Sequence, residues 1–305
     1  MKYRLTDEII LWNGHLLHRI QATKNFNDVK AGDLGGFVEG EHNLSCTDDA
    51  WIYDDAKVYG DAQVCDSVKV YGNADVYDYA KVYGNAEVSG NANVYGCAEV
   101  GEDAQVYGYA DVSGNALVCG FAEIHGNAEV RDNAQVSERA IVGDYARIFD
   151  DACISGKAKV IDYAQVCGCG KITETARVYG NAFVCGRAEV RGIAHISGYA
   201  MVLDNAMVYG HTDVCEDALV AMDARVYGNA WVTGHARVYG EAEVYGNAKV
   251  YDSAQVCGNA KVYGDARVYG IARVGDIARV SGIAKVHGNA KVCGDSNVYG
   301  EMKRG

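Results

Sequence analysis

His195 and Asp213 stand eighteen residues apart. In a backbone that coils once every eighteen residues, imidazole and carboxylate would lie side by side. An aspartate beside a histidine orients the ring and favours its charged form, which is the arrangement of a general acid–base pair. Arg177 and Trp231 flank the pair at the same spacing. No nucleophile or oxyanion donor is evident beside it, so the plainer reading is a surface ion pair on a regular ladder. Cys167, Cys169 and Cys185 form the densest sulfur cluster, and Cys167 and Cys185 are again eighteen apart. No second cysteine pair follows at zinc spacing, so no metal site is expected. Eleven cysteines, an odd number scattered along the chain, point to a reducing cytoplasm rather than a disulfide framework.

Other outward-facing groups suit binding better than catalysis. Phe183, Met201 and Leu219 repeat at the same spacing, with Met207 and Trp231 nearby in sequence. Among mostly polar outward positions they form a candidate apolar contact patch. Arg237, Lys249, Lys261, Arg267, Arg273, Arg279, Lys285 and Lys291 make a basic belt spread over all faces of such a coil. Residues 221–305 carry a net charge of +3 and the other 220 residues −16. That asymmetry favours end-to-end or partner association, while the total of −13 argues against direct nucleic-acid binding. An acidic rod can also imitate a duplex and occupy a nucleic-acid-binding protein. Tyr209, Tyr227, Tyr245 and Tyr263 predict one aromatic ladder, and Tyr53 with Tyr71 a second. They are read first as covering corner backbone.

These spacings gain their meaning from a six-residue unit, Ala-x-Val-Tyr-Gly-Asn, that runs from Ala50 to Glu301 without a slip. In 42 units the first residue is Ala 38 times and the third is Val 36 times and Ile six times. Residues two apart share one face of a strand, so Ala and Val point inward and the residue between them outward. The fifth position is Gly in 27 units and mostly Asp or Glu elsewhere. That composition predicts a left-handed turn residue, strained at Glu138, Glu174 and Met222. Three units close one triangular coil, and fourteen coils at about 4.8 Å each make a column of roughly 65 Å. The absence of proline agrees with backbone N–H groups committed to ladders. No apolar run approaches the ~18 residues of a membrane span.

Residues 1–49 lie outside the phase and are expected to form an N-terminal cap, a hairpin plus an irregular first turn. Asn13-Gly14 is the turn signal, and the cap covers the open edge of the first coil. The expected organisation is cap 1–49, β-helix 50–301 and tail 302–305. Nothing in that tail is large enough to cover the last coil, which would leave an edge for charge or a partner to protect.

The small residue two places before an aliphatic one resembles the hexapeptide-repeat left-handed parallel β-helix family. The stretches Asn25 to Gly32, Gly35-Gly36-Phe37-Val38, Leu44-Ser45 and Trp51-Ile52-Tyr53-Asp54 resemble the lead-in segment of the YdcK-like transferase group of bacteria and phages. The resemblance implies an all-β, single-stranded left-handed solenoid. It also implies an acyl-CoA-dependent acyltransferase, with acetyl-CoA or another acyl-CoA as cofactor, side-by-side trimers, and a site between subunits near His195. This chain departs from that pattern because no loop interrupts the repeats. The uninterrupted array favours a non-enzymatic scaffold without cofactor, binding itself or another macromolecule.

Overall fold

The computed structural model describes residues 1–301; the expected tail 302–305 lies outside the described residues. The chain divides into two compact units, Met1–Asp150 and Asp151 onward. Each is a parallel β-helix of the left-handed hexapeptide type.

The first unit begins with an antiparallel hairpin of β1 (Tyr3–Trp12) and β2 (His15–Ala22). Its turn residues Asn13 and Gly14 have φ of 47° and 90°, the paired positive values that match a hairpin's twist. Next, β3 (Leu34–Val38) joins two kinds of pairing. One edge runs antiparallel to β2, with Arg19 opposite Phe37; the other runs parallel to Lys57–Val58, with Val38 opposite Val58. The hairpin therefore occupies the edge that the first coil would otherwise leave open.

The coil starts two residues out of step. Val38 pairs with Val58 and Leu44 with Val64, both twenty apart, whereas Trp51 pairs with Lys69, eighteen apart. The two extra residues fall between Leu44 and Trp51, where the buried Lys2 enters. Its Nζ donates to the Asp48 carbonyl at 2.9 Å, to Asp48 Oδ1 at 3.1 Å and to the Ala50 carbonyl at 2.5 Å. Burial lowers the Lys2 pKa despite Asp48, so the ammonium satisfies the displaced backbone at a desolvation cost.

From Trp51 the eighteen-residue register is regular within each unit. Val70 lies against Val88 in the first, and Val178 against Ile196 in the second. The Ala and Val or Ile side chains at inward positions between 50 and 286 are buried. Each such Val is worth about 1.5–3 kcal/mol, and nearest-neighbour stacking adds these contributions along a unit.

Every fifth-position residue in the array has positive φ, including Glu138, Glu174 and Met222 at 61°, 60° and 61°. The acidic residues there have a use beyond conformational tolerance. Asp54 Oδ2 accepts the Gly72 N–H at 3.0 Å, Glu102 the Gly120 N–H at 2.7 Å and Glu216 the Gly234 N–H at 2.8 Å. Each carboxylate thus satisfies the turn amide of the next coil, and that charge-assisted bond offsets the strain of the left-handed backbone.

Two sequence expectations need correction. Cys167 and Cys185 form a disulfide. They sit at equivalent corners of adjacent coils with Cα atoms 4.7 Å apart, inside the bonding range; the other nine cysteines are free, so one bridge is added to the sequence reading and no framework is formed. Tyr53 and Tyr71 also do not start a ladder. Tyr53 instead gives its hydroxyl to Asp28 at 2.7 Å, and a three-ring stack in this unit is Tyr59–Tyr77–Tyr95, with centroids 5.0 and 4.9 Å apart.

Candidate functional site

The side chains with chemical potential in the second unit are set by one outward column. Arg177, His195, Asp213, Trp231, Lys249, Arg267 and Lys285 follow one another in register on successive coils. Two-residue strands fix each of them: the inward Ala and Val leave the intervening residue no choice but to face out. His195 Nδ1 lies 3.2 Å from Asp213 Oδ1, and the Tyr179 ring meets His195 edge-on at 6.3 Å. The two side chains are therefore in contact. Asp213 is half exposed and His195 one-third exposed, so solvent screens the attraction between them.

Below this pair lies a recess of ≈ 480 Å³, floored by Cys215 and Thr233 and walled by Trp231, Lys249, Tyr251 and Arg267. Lys249 Nζ rests over the Trp231 ring, 4.8 Å from its centroid, a cation–π contact that holds both side chains. Cys215 Sγ donates to Thr233 Oγ1 at 3.2 Å. Burial raises the Cys215 thiol pKa, against the pull of that bond, which favours the protonated thiol. Glu216 and Asp252 complete the rim, but each spends an oxygen on a turn amide, of Gly234 and Gly270 respectively. Sequence reasoning placed Trp231 and the two cations separately, in an apolar patch and a basic belt, and missed the recess. The available signal was the corner column, where Ser197, Cys215 and Thr233 put three small side chains in a row between Tyr179 and Tyr251.

The other expected clusters separate by face. Phe183, Met201 and Leu219 are contiguous in register. Met207 lies on a different ladder between Glu189 and Arg225, and Trp231 on the His195 ladder. The basic residues divide likewise. Arg237, Arg273 and Lys291 share the Leu219 ladder, with Gln255 between the first two. Lys261 and Arg279 share a second, and Lys249, Arg267 and Lys285 the third. Lys261 is tied to Glu243 at 3.0 Å. Tyr209, Tyr227, Tyr245 and Tyr263 do form one ladder, with centroids 4.9–5.0 Å apart. Among the described residues no group of three or more His, Cys, Asp and Glu could hold a metal ion, and no helix is long and apolar enough to cross a membrane.

One carboxylate in the first unit is poorly served. Asp111 Oδ1 is buried without a hydrogen-bond partner. Burial raises the Asp111 pKa, Tyr95 opposes that rise by hydrogen bonding, and Glu129 adds to it by repulsion. A carboxylate whose folded pKa is raised contributes its full stability below the unfolded value and loses it as pH climbs through the folded value. Asp111→Asn is therefore expected to stabilise the protein at pH 7 by about 1 kcal/mol, the scale of relieving one desolvated polar group. The gain should vanish below the ordinary value of 3.8. Urea midpoints at pH 7 and near pH 3 check both halves.

The sequence profile of the YdcK β-solenoid repeat matches residues 224–240 and 254–270. No curated protein matches the chain. Among solved structures, the Francisella novicida UDP-N-acetylglucosamine acyltransferase is similar at 19% identity, over 59% of this chain and 65% of that one, with a TM-score of 0.26. The chain thus spans less than two thirds of that enzyme, and a likeness this low carries no argument about activity. Repeat period and turn chemistry identify a hexapeptide-repeat β-solenoid, two stretches of which are similar to the YdcK β-solenoid repeat.

Proposed function

We propose that the protein is a non-enzymatic solenoid scaffold whose regular faces bind a second copy of the chain. The observation that carries this reading is the Phe183–Met201–Leu219 stripe. Three consecutive outward positions in register are apolar, on a ladder that continues into Arg237. Met201 is 38% exposed, and apolar area held in water by a rigid sheet is the kind of surface that association covers. Homo-oligomers with closed symmetry are the common outcome when such a face is self-complementary. Light scattering tests it: the wild type should exceed the 32.7 kDa monomer, and Met201→Glu with Leu219→Lys should return it to monomer. A wild type that is strictly monomeric at about 100 μM would overturn the reading, since even weak specific pairs have a Kd in the micromolar range.

A second reading, an acyl-CoA-dependent acyltransferase, is favoured by one contact, His195 with Asp213 at 3.2 Å. A histidine oriented in this way can remove a proton from an acceptor hydroxyl or amine as it attacks a thioester carbonyl, and return that proton to the CoA thiolate that leaves as the C–S bond breaks. Acetyl-CoA should then shift the melting temperature, and His195→Ala should abolish transfer. Transfer unchanged in that variant would dismiss the site.

A further inference from the structure

We infer that the recess between Trp231 and Arg267 is a binding site for a planar aromatic ring carrying an anionic group, with a nucleoside monophosphate as its working example. This inference is independent of the scaffold reading. The recess lies where a ring stack begins. Along this corner, Tyr179 is followed at eighteen-residue steps by Ser197, Cys215 and Thr233 before tyrosine returns at Tyr251. From there the rings stack again, Tyr251 on Tyr269 at 4.9 Å and Tyr269 on His287 at 5.0 Å. Tyr251 is thus the end ring of that stack, with no aromatic side chain on the three coils before it in this column. The Cys215–Thr233 floor, joined at 3.2 Å, marks where a further ring would lie.

A planar ligand entering there continues the stack on Tyr251 and meets the Trp231 edge of the wall, contacts that any π-face can make. Lys249 and Arg267 lie one coil apart on the same wall and supply two positive charges for an anionic substituent; arginine offers a phosphate a bidentate fork and lysine a point charge. Glu216 and Asp252 also line the recess, each with one oxygen bound to a turn amide and a second outside that bond. They can accept hydrogen bonds from an amino or hydroxyl group, and their charge disfavours a bare polyanion. At ≈ 480 Å³ the space falls in the range of about 300–1,000 Å³ that small-molecule sites occupy.

Calorimetric titration with adenosine 5′-monophosphate, followed in parallel by tryptophan fluorescence, tests the site on the whole protein. The phosphate and the ring should both count: ribose 5-phosphate and adenosine should each bind at least about tenfold more weakly, a loss of about 1.4 kcal/mol. Lys249→Ala with Arg267→Ala should lower affinity for the monophosphate by more than about tenfold. Thr233→Tyr is the sharper variant, because it extends the Tyr251–Tyr269 stack by one ring and fills the slot. It should abolish binding while leaving the melting temperature at or above that of the wild type. No heat at about 10 mM ligand, ribose 5-phosphate or adenosine binding as well as the monophosphate, or Thr233→Tyr binding like wild type would each overturn the assignment.

Discussion

Trp51→Ala is expected to destabilise the first unit by about 3–5 kcal/mol, the cost of deleting a buried tryptophan. Trp51 is 1% exposed and begins the regular register, pairing with Lys69. It is also the hinge between array and cap. Tyr3 meets its ring edge-on at 6.4 Å and Phe26 at 5.4 Å. A methyl group built on Gly35 of β3 would come within 2.7 Å of it, so glycine is needed there to let the strand lie against the indole. Removing the ring takes away the surface on which β1, the 26–29 bridge and β3 converge. The cap should loosen before the coils do, and amide exchange should rise first across Leu34–Val38. Trp231→Ala is the control: that side chain is 41% exposed, and its loss should cost about 0.5 kcal/mol, as for an ordinary surface change. Equal urea midpoints for the two variants would show that the cap is not held through Trp51.

Much of this architecture is legible because one rule is repeated. Ala and Val two apart place both side chains inside, and one left-handed residue in six turns the chain. Positive φ at every fifth position, Met222 included, follows from the period alone. The contribution of Asp54 or Glu102 to the next coil is harder to read. A turn considered by itself explains why aspartate is tolerated, whereas the bond to Gly72 or Gly120 belongs to two turns together. Lys2 is less legible still, since its partners Asp48 and Ala50 lie 46 and 48 residues away and outside any periodicity. At the candidate site, the eighteen-residue rule brought His195 to Asp213. It did not reveal the recess, because a search for reactive groups passes over Ser197, Cys215 and Thr233, whose importance is that they are smaller than tyrosine.

Ala200→Leu should destabilise the second unit by about 1–3 kcal/mol or more, as overpacking does in a filled core. Ala200 is fully buried, and so are Ala182 and Ala218 one coil to either side. Backbone bonds of 2.9 Å, Phe183 N–H to Ala200 O and Met201 N–H to Ala218 O, hold these coils at a fixed spacing. Three added carbons have no route outward, since the neighbouring Val184, Val202 and Val220 are buried too. The coil must therefore widen or the ladder must stretch, and either change disturbs Met201 on the opposite face of the strand. The companion variant Ile172→Ala errs the other way and leaves a cavity worth about 2–5 kcal/mol. In a stack governed by neighbour contacts, both losses fall on regular coils with a paired coil on either side, so each disturbs two interfaces. Tyr199→Leu adds no volume to the core, because Tyr199 is 64% exposed, and should change the urea midpoint little. An Ala200→Leu variant as stable as wild type would mean that the triangular interior has room to spare. Alanine at 38 of 42 first positions would then need a cause other than packing.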